Sequence, residues 1–137
     1  MTKIKCFYIG LLFLGIGIQQ SYSQTYKFRT SGFSVLEKNE KGKWGKWSDL
    51  SLVNIMVSLD TDKNRLVVYS RNIQLYQILV YQPESESEND LVYSFTCKDN
   101  DGADCTVSII TRKKQENRKQ LYITYSDHVI VYNIFSM

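Results

Sequence analysis

His128 is the only histidine among the 137 residues, so a multi-histidine metal site cannot form, and any Ser/His relay has to run through this one side chain. Paired carboxylates do acid–base work without histidine. The acids here, however, gather in turn-like segments, and no two are spaced to share a concave face. No glycine-rich phosphate loop is present. The expectation is a chain with no catalytic residues and no cofactor.

Cys97 and Cys105 flank the polar loop Lys98 to Asp104, and the third cysteine, Cys6, lies near the start of the chain. Two cysteines bracketing one short polar loop predict a disulfide between them if the chain is exported, as its first residues indicate. Its short ring would contribute roughly 2–3 kcal/mol, more to hairpin register than to survival of the fold. Asp99, Asp101 and Asp104 around Gly102, and separately Asp60, Asp62 and Asn64, offer oxygen ligands. Calcium takes about six to eight oxygens and an EF-hand loop ends on a glutamate, which neither segment supplies. Aspartate, asparagine and glycine are also the residues that tight turns need, so no metal is expected.

Trp44 and Trp47, the only tryptophans, interleave with Lys41, Lys43 and Lys46. Residues three apart on a regular strand face opposite ways, so at most one indole enters the core unless Gly45 forms a bulge. Edge packing is the plainer reading of the other, with an exposed platform for a sugar, a lipid or a partner protein as the alternative. Trp44, Trp47, Lys43 and Lys46 are therefore the candidate ligand-binding residues. Charge is uneven elsewhere. Seven acids meet one base from Glu84 to Asp104, and five bases meet one acid from Arg112 to Lys119. Solvated hairpin tips are the plainer reading of both runs, with a polyanion contact as the alternative for the basic one.

The elements that must position these residues read as strands. The first segment is different: Lys3 and Lys5 precede the apolar run Cys6 to Ile18, and Ser21-Tyr22-Ser23 place small residues at −3 and −1 before Gln24. This is the pattern of a cleaved secretory signal, residues 1–23. The apolar run is too short for a bilayer core of about 30 Å. Cys6 lies at the start of that run rather than after its end, so a lipoprotein anchor is not expected. Removing residues 1–23 leaves 114 residues and lowers the formal net charge from +3 to +1. With that charge and an exported address, nucleic acid is not an expected partner.

In residues 24–137 apolar side chains alternate. Tyr26, Phe28 and Thr30 share a face, and Phe33 and Val35 follow an irregularity at Gly32. Val53 to Leu59 and Arg65 to Tyr69 flank a hairpin loop in which Asn64 suits the left-handed position. A helix from Ser48 to Met56 is the weaker alternative for that stretch, because its β-branched residues disfavour it. Ile73 to Tyr81 stops at Pro83. Leu91 to Cys97 and Cys105 to Thr111 form the cysteine hairpin. Leu121 to Tyr125 and Val129 to Phe135 surround a turn at Asp127-His128, which would pair Tyr125 with Ile130, Ile123 with Tyr132 and Leu121 with Ile134. The sum is a single all-β domain, an antiparallel meander of eight or nine short strands closing into a small barrel or folding into a sandwich.

Asp60-Thr61-Asp62-Lys63-Asn64-Arg65 with Val67 to Ser70, Phe95 to Asp99, and Leu121 to Asp127 with Val131 to Ile134 resemble short secreted Bacteroidetes proteins of unknown function. The signal ending Ser21-Tyr22-Ser23-Gln24 is similar too. The resemblance implies a cell-envelope or extracellular address and brings no catalytic residues. The functional expectation is a secreted or periplasmic, non-enzymatic binding module. Its partner would be a protein, a glycan or a small apolar ligand held inside a barrel. A small exported enzyme with a carboxylate or tyrosine site, or a small outer-membrane barrel, is the alternative. No transmembrane segment is expected once the signal is removed.

Overall fold

The computed structural model describes residues 24–137, so the expected export signal, 1–23, lies outside the described residues. The ten strands are β1 (Thr25–Glu37), β2 (Ser51–Leu52), β3 (Met56–Asp60), β4 (Arg65–Val68), β5 (Gln74–Tyr81), β6 (Ser85–Glu86), β7 (Asp90–Lys98), β8 (Asp104–Arg112), β9 (Arg118–Thr124) and β10 (His128–Ser136). All pairings are antiparallel, and the order β1-β3-β4-β5-β7-β8-β9-β10 returns to β1. The closing seam runs from Phe28↔Ser136 to Glu37↔His128. This is a closed eight-stranded barrel rather than a sandwich, with β2 added to β1 and β6 added to β7. Every one of these pairings is made within residues 24–137. Among the described residues there is no helix. Ser48 to Met56 runs as irregular chain through β2 to the first residue of β3.

A barrel of about eight strands has an interior just wide enough for side chains to fill it or to hold one small ligand. Here side chains fill it. Leu66, Leu121, Ile123, Val57, Val68 and Val107 are fully buried and belong to one continuous core. The outer wall of β7–β10 mixes apolar side chains, among them Val92, Ile110, Val129 and Val131, with a polar network. Ser94 and Ser108 share a hydrogen bond of 2.8 Å between their hydroxyls. Arg112 pairs with Asp90 at 3.2 Å and donates to Gln120 Oε1 at 3.0 Å, and Gln120 Nε2 donates to Asn133 Oδ1 at 3.1 Å. The wall thus carries a polar ladder across four strands.

β1 serves three neighbours because it bends. Its register against β10 shifts between Thr30 and Gly32, the irregularity expected at this glycine. Below the bulge β1 pairs with β3, and above it with β2. Thr30 holds the crossover. Its buried hydroxyl donates to the Val53 carbonyl at 2.8 Å and accepts from the Ile55 N–H at 3.0 Å. Gly32 is needed for close approach, since a Cβ there would lie 3.0 Å from Leu50 Cδ1 and from the Ser51 carbonyl oxygen.

The last hairpin corrects one expectation. Its turn residues are Ser126-Asp127 rather than Asp127-His128, so Ile123 faces Ile130 and Leu121 faces Tyr132, while the Tyr125 N–H donates to the His128 carbonyl at 2.8 Å. The slip is two residues in partner number, which keeps every side chain on its expected face. Asn64 does take the left-handed position, with φ 52°, in the β3–β4 turn.

Candidate functional site

Trp44 and Trp47 lie on the segment that returns from the end of β1 along its outer edge. Lys38 and Trp44 form a β-bridge, Gly45 N–H donates to the Glu37 carbonyl at 2.8 Å, and Ser48 N–H donates to the Val35 carbonyl at 2.8 Å. At the tip the Asn39 Oδ1 accepts from the Lys41 and Lys43 N–H groups at 2.9 and 3.0 Å. The Lys38 ammonium sits 4.9 Å from the Trp44 ring centroid, a cation–π contact that steadies the indole. Neither tryptophan enters the core; both remain about half exposed, as do Leu50 and, more fully, Leu52. The result is a braced ledge with apolar side chains outward and Lys41, Lys43 and Lys46 beside them. The pairing with β1 is ragged, not regular, and the strand rule that sent one indole inward does not apply to it.

A second feature was not evident from sequence. The 69–73 and 99–103 loops and the 126–127 turn meet at the same end of the barrel. Between them Asn72, Ile73, Gln74, Tyr76, Asp99, Asn100, Asp101 and Tyr125 line a cleft of about 300 Å³. Its polar groups largely satisfy one another. Tyr125 donates to Asp99 Oδ2 at 2.7 Å, Tyr76 donates to Gln74 Oε1 at 2.6 Å, and Asn100 Oδ1 accepts from the Leu75 N–H at 2.6 Å. Burial pushes both tyrosine hydroxyls well above their ordinary range, and Asp99 adds to the effect on Tyr125. In return the Tyr125 hydroxyl holds the Asp99 carboxyl below its usual value. The two tyrosines keep their protons at neutral pH and donate, while Asp99 is ionised and accepts. The available signal was Tyr76 and Tyr125 at inward positions near one end of their strands, with Tyr132 inward at the middle of β10.

Cys97 and Cys105 face each other directly across β7 and β8, which bears out their placement but not the expected disulfide. Both are buried free thiols. The reason is side-chain direction. Cys97 Sγ turns back to the Phe95 carbonyl at 3.7 Å, and the Cys105 thiol lies against the Tyr125 hydroxyl. Burial pushes the two thiols up to about 12 and about 11 respectively, so neither is a thiolate at neutral pH.

His128 stacks on Tyr125 with ring centroids 4.4 Å apart, and its Nδ1 lies 2.7 Å from Asp127 Oδ1. The acidic turns use their carboxylates internally. Asp99 Oδ1 accepts from the Asp101 and Ala103 N–H groups at 2.9 Å, and Asp60 Oδ1 accepts from Asp62 and Lys63 at 3.0 and 3.1 Å.

The 84–90 part of the acidic run and the basic run are not separate solvated tips. They meet at the opposite end of the barrel, where Arg112 pairs with Asp90, Lys113 with Glu86, and Lys114 with Glu88 at 3.1 Å. Asp99, Asp101 and Asp104 lie instead in and beside the turn at the cleft end. Three of the five bases in the basic run are thus paired, while no ion pair among the described residues engages Arg118 or Lys119. No family model matches the chain, and neither the curated proteins nor the solved structures include a match to it.

Proposed function

We propose that the chain is an exported, non-catalytic binding module whose barrel serves as a rigid platform and whose working surface is the ledge of Trp44, Trp47, Lys43 and Lys46. The observation that carries this reading is that both indoles stand half exposed on a segment hydrogen-bonded to β1 along its length. Exposed large aromatics on a preorganised backbone are what a binding surface needs, because little ordering entropy remains to be lost. The filled interior favours this form over a barrel enclosing an apolar ligand. The hydrogen-bonded and charged groups that cross the outer wall of β7–β10 favour a water-facing barrel, since a lipid-facing one carries a continuous apolar band. Protonated thiols and tyrosines favour binding over catalysis.

Sedimentation of residues 24–137 with the washed cell-envelope fraction of the native host tests the reading. At least tenfold greater retention than for the Trp44→Ala/Trp47→Ala protein is expected. Equal retention of the two proteins overturns it.

A further inference from the structure

We propose that the ledge docks on an anionic bilayer surface, with Trp44, Trp47, Leu50 and Leu52 entering the interfacial layer and Lys38, Lys41, Lys43 and Lys46 meeting lipid phosphates. The inference rests on the ledge being the working surface and names its partner.

Three observations point to a bilayer. The first is composition. Within nine residues four large apolar side chains are 45% (Trp44), 46% (Trp47), 54% (Leu50) and 85% (Leu52) exposed. Tryptophan favours the membrane–water interface, and leucine gains from the acyl boundary below it. A neutral glycan would use the indoles but leave Leu50 and Leu52 in water.

The second is charge. Residues 38–52 carry four lysines against Glu40 and Asp49, a sum of +2, while the rest of residues 24–137 sums to −1. No ion pair among the described residues engages these four lysines, whereas Arg112, Lys113 and Lys114 at the other end are all paired. Of the two basic regions, the ledge keeps the more unpaired cations, four against Arg118 and Lys119. Lysine stems lie along apolar surface while the ammonium reaches the headgroups.

The third is shape. The ledge is a single ragged strand laid along the outside of β1, with its tip held by Asn39 and with Ser48 Oγ accepting from the Val35 N–H at 2.8 Å. A bilayer needs a projecting edge of this kind and no complementary pocket.

Because Trp44 and Trp47 are the only tryptophans, intrinsic fluorescence reports on the ledge alone. Residues 24–137, which contain the whole closed barrel, are the part to use, since the apolar run Cys6 to Ile18 would enter bilayers by itself. The probes are vesicles of phosphatidylcholine with about 30% phosphatidylglycerol and vesicles of phosphatidylcholine alone, at low salt. A blue-shifted emission and at least tenfold tighter partitioning onto the anionic vesicles are expected. Lys41→Gln/Lys43→Gln/Lys46→Gln should weaken partitioning roughly a hundredfold, at about fivefold per lysine, with unchanged thermal unfolding. Equal partitioning onto both vesicles, or onto neither, overturns the proposal. If envelope retention still depends on the tryptophans in that case, the ledge stands and its partner is a protein or glycan.

Discussion

The two ends of the barrel use the same residue in opposite ways. At the end near the cleft, Tyr76 and Tyr132 are buried and Tyr125 is half-buried; Gln74 receives the Tyr76 hydroxyl and Asp99 that of Tyr125. At the other end Tyr26, Tyr81 and Tyr93 sit at inward-facing positions but remain about half exposed. Tyr81 packs edge-on against Phe95 and donates to Asn64 Oδ1 at 2.7 Å. Tyrosine has an apolar body and a polar tip, so it can cap a hydrophobic core at either mouth. One end is closed by hydrogen bonds among groups that stay mostly uncharged at neutral pH. The other is rimmed by ion pairs between β6, the start of β7, the end of β8 and the loop that follows it. The first kind of closure is bound into the core, and the second lies largely outside it.

Truncation gives the largest contrast. Tyr76 is 2% exposed and Tyr81 44%. Tyr76→Ala removes a buried ring and leaves Gln74 without its donor, and should cost about 3–5 kcal/mol in urea unfolding. Tyr81→Ala should cost about 1–2 kcal/mol, since half of the ring is already in water. Equal losses would mean that the two ends are built alike.

Alkaline pH probes the buried end next. Folding raises Cys97 to about 12 and Cys105 to about 11, against about 8.5 for a free thiol. A raised value contributes stability that is fully present below the unfolded value and is lost as pH rises through the folded one. Stability should therefore fall from about pH 8.5 upward by about 1 kcal/mol per pH unit for each thiol. Cys97→Val/Cys105→Val should flatten this slope below pH 10, where tyrosine ionisation takes over. Acid acts the other way at Asp99. Its value is depressed, so the small contribution of this exposed carboxylate is complete above about pH 4 and drains as pH falls below that. A thiol titration belongs to the same experiment: two reactive thiols after denaturation without reductant, and very slow reaction in the native protein at neutral pH.

Alternation along the chain carried most of the barrel. It placed the shared face of Tyr26, Phe28 and Thr30, the ranges of β5, β7 and β8, the apolar face of β9, the bulge at Gly32 and the left-handed Asn64, because each depends on neighbours within a few residues. Two features escaped it for the same physical reason. A hairpin displaced by two residues presents the same faces, so periodicity alone does not separate the Ser126-Asp127 turn from Asp127-His128. Rotamers are not encoded in spacing either, and Cys97 and Cys105 face each other with thiols turned to different partners. The tryptophan ledge was legible as composition, while its exposure came from a ragged pairing that no strand template describes. The cleft needed three turns brought together from residues 69–73, 99–103 and 126–127.

Ion pairs at the other end give the smallest effect and the sharpest distinction between the two closures. Lys113 and Lys114 bond to Glu86 and Glu88 across 26 to 27 residues, so neither charge run alone announces the pairing. These pairs are largely exposed. Glu86→Gln and Glu88→Gln should each cost at most about 0.5 kcal/mol, and Asp90→Asn somewhat more, since Arg112 is only 25% exposed beside it. The triple change raises the net charge of residues 24–137 from +1 to +4 and uncovers three cations at one end of the barrel. It should therefore move elution from a heparin column to higher salt while leaving unfolding almost unchanged. An unchanged elution would mean that the acids do not mask the basic loop, and that the two charge runs are independent after all.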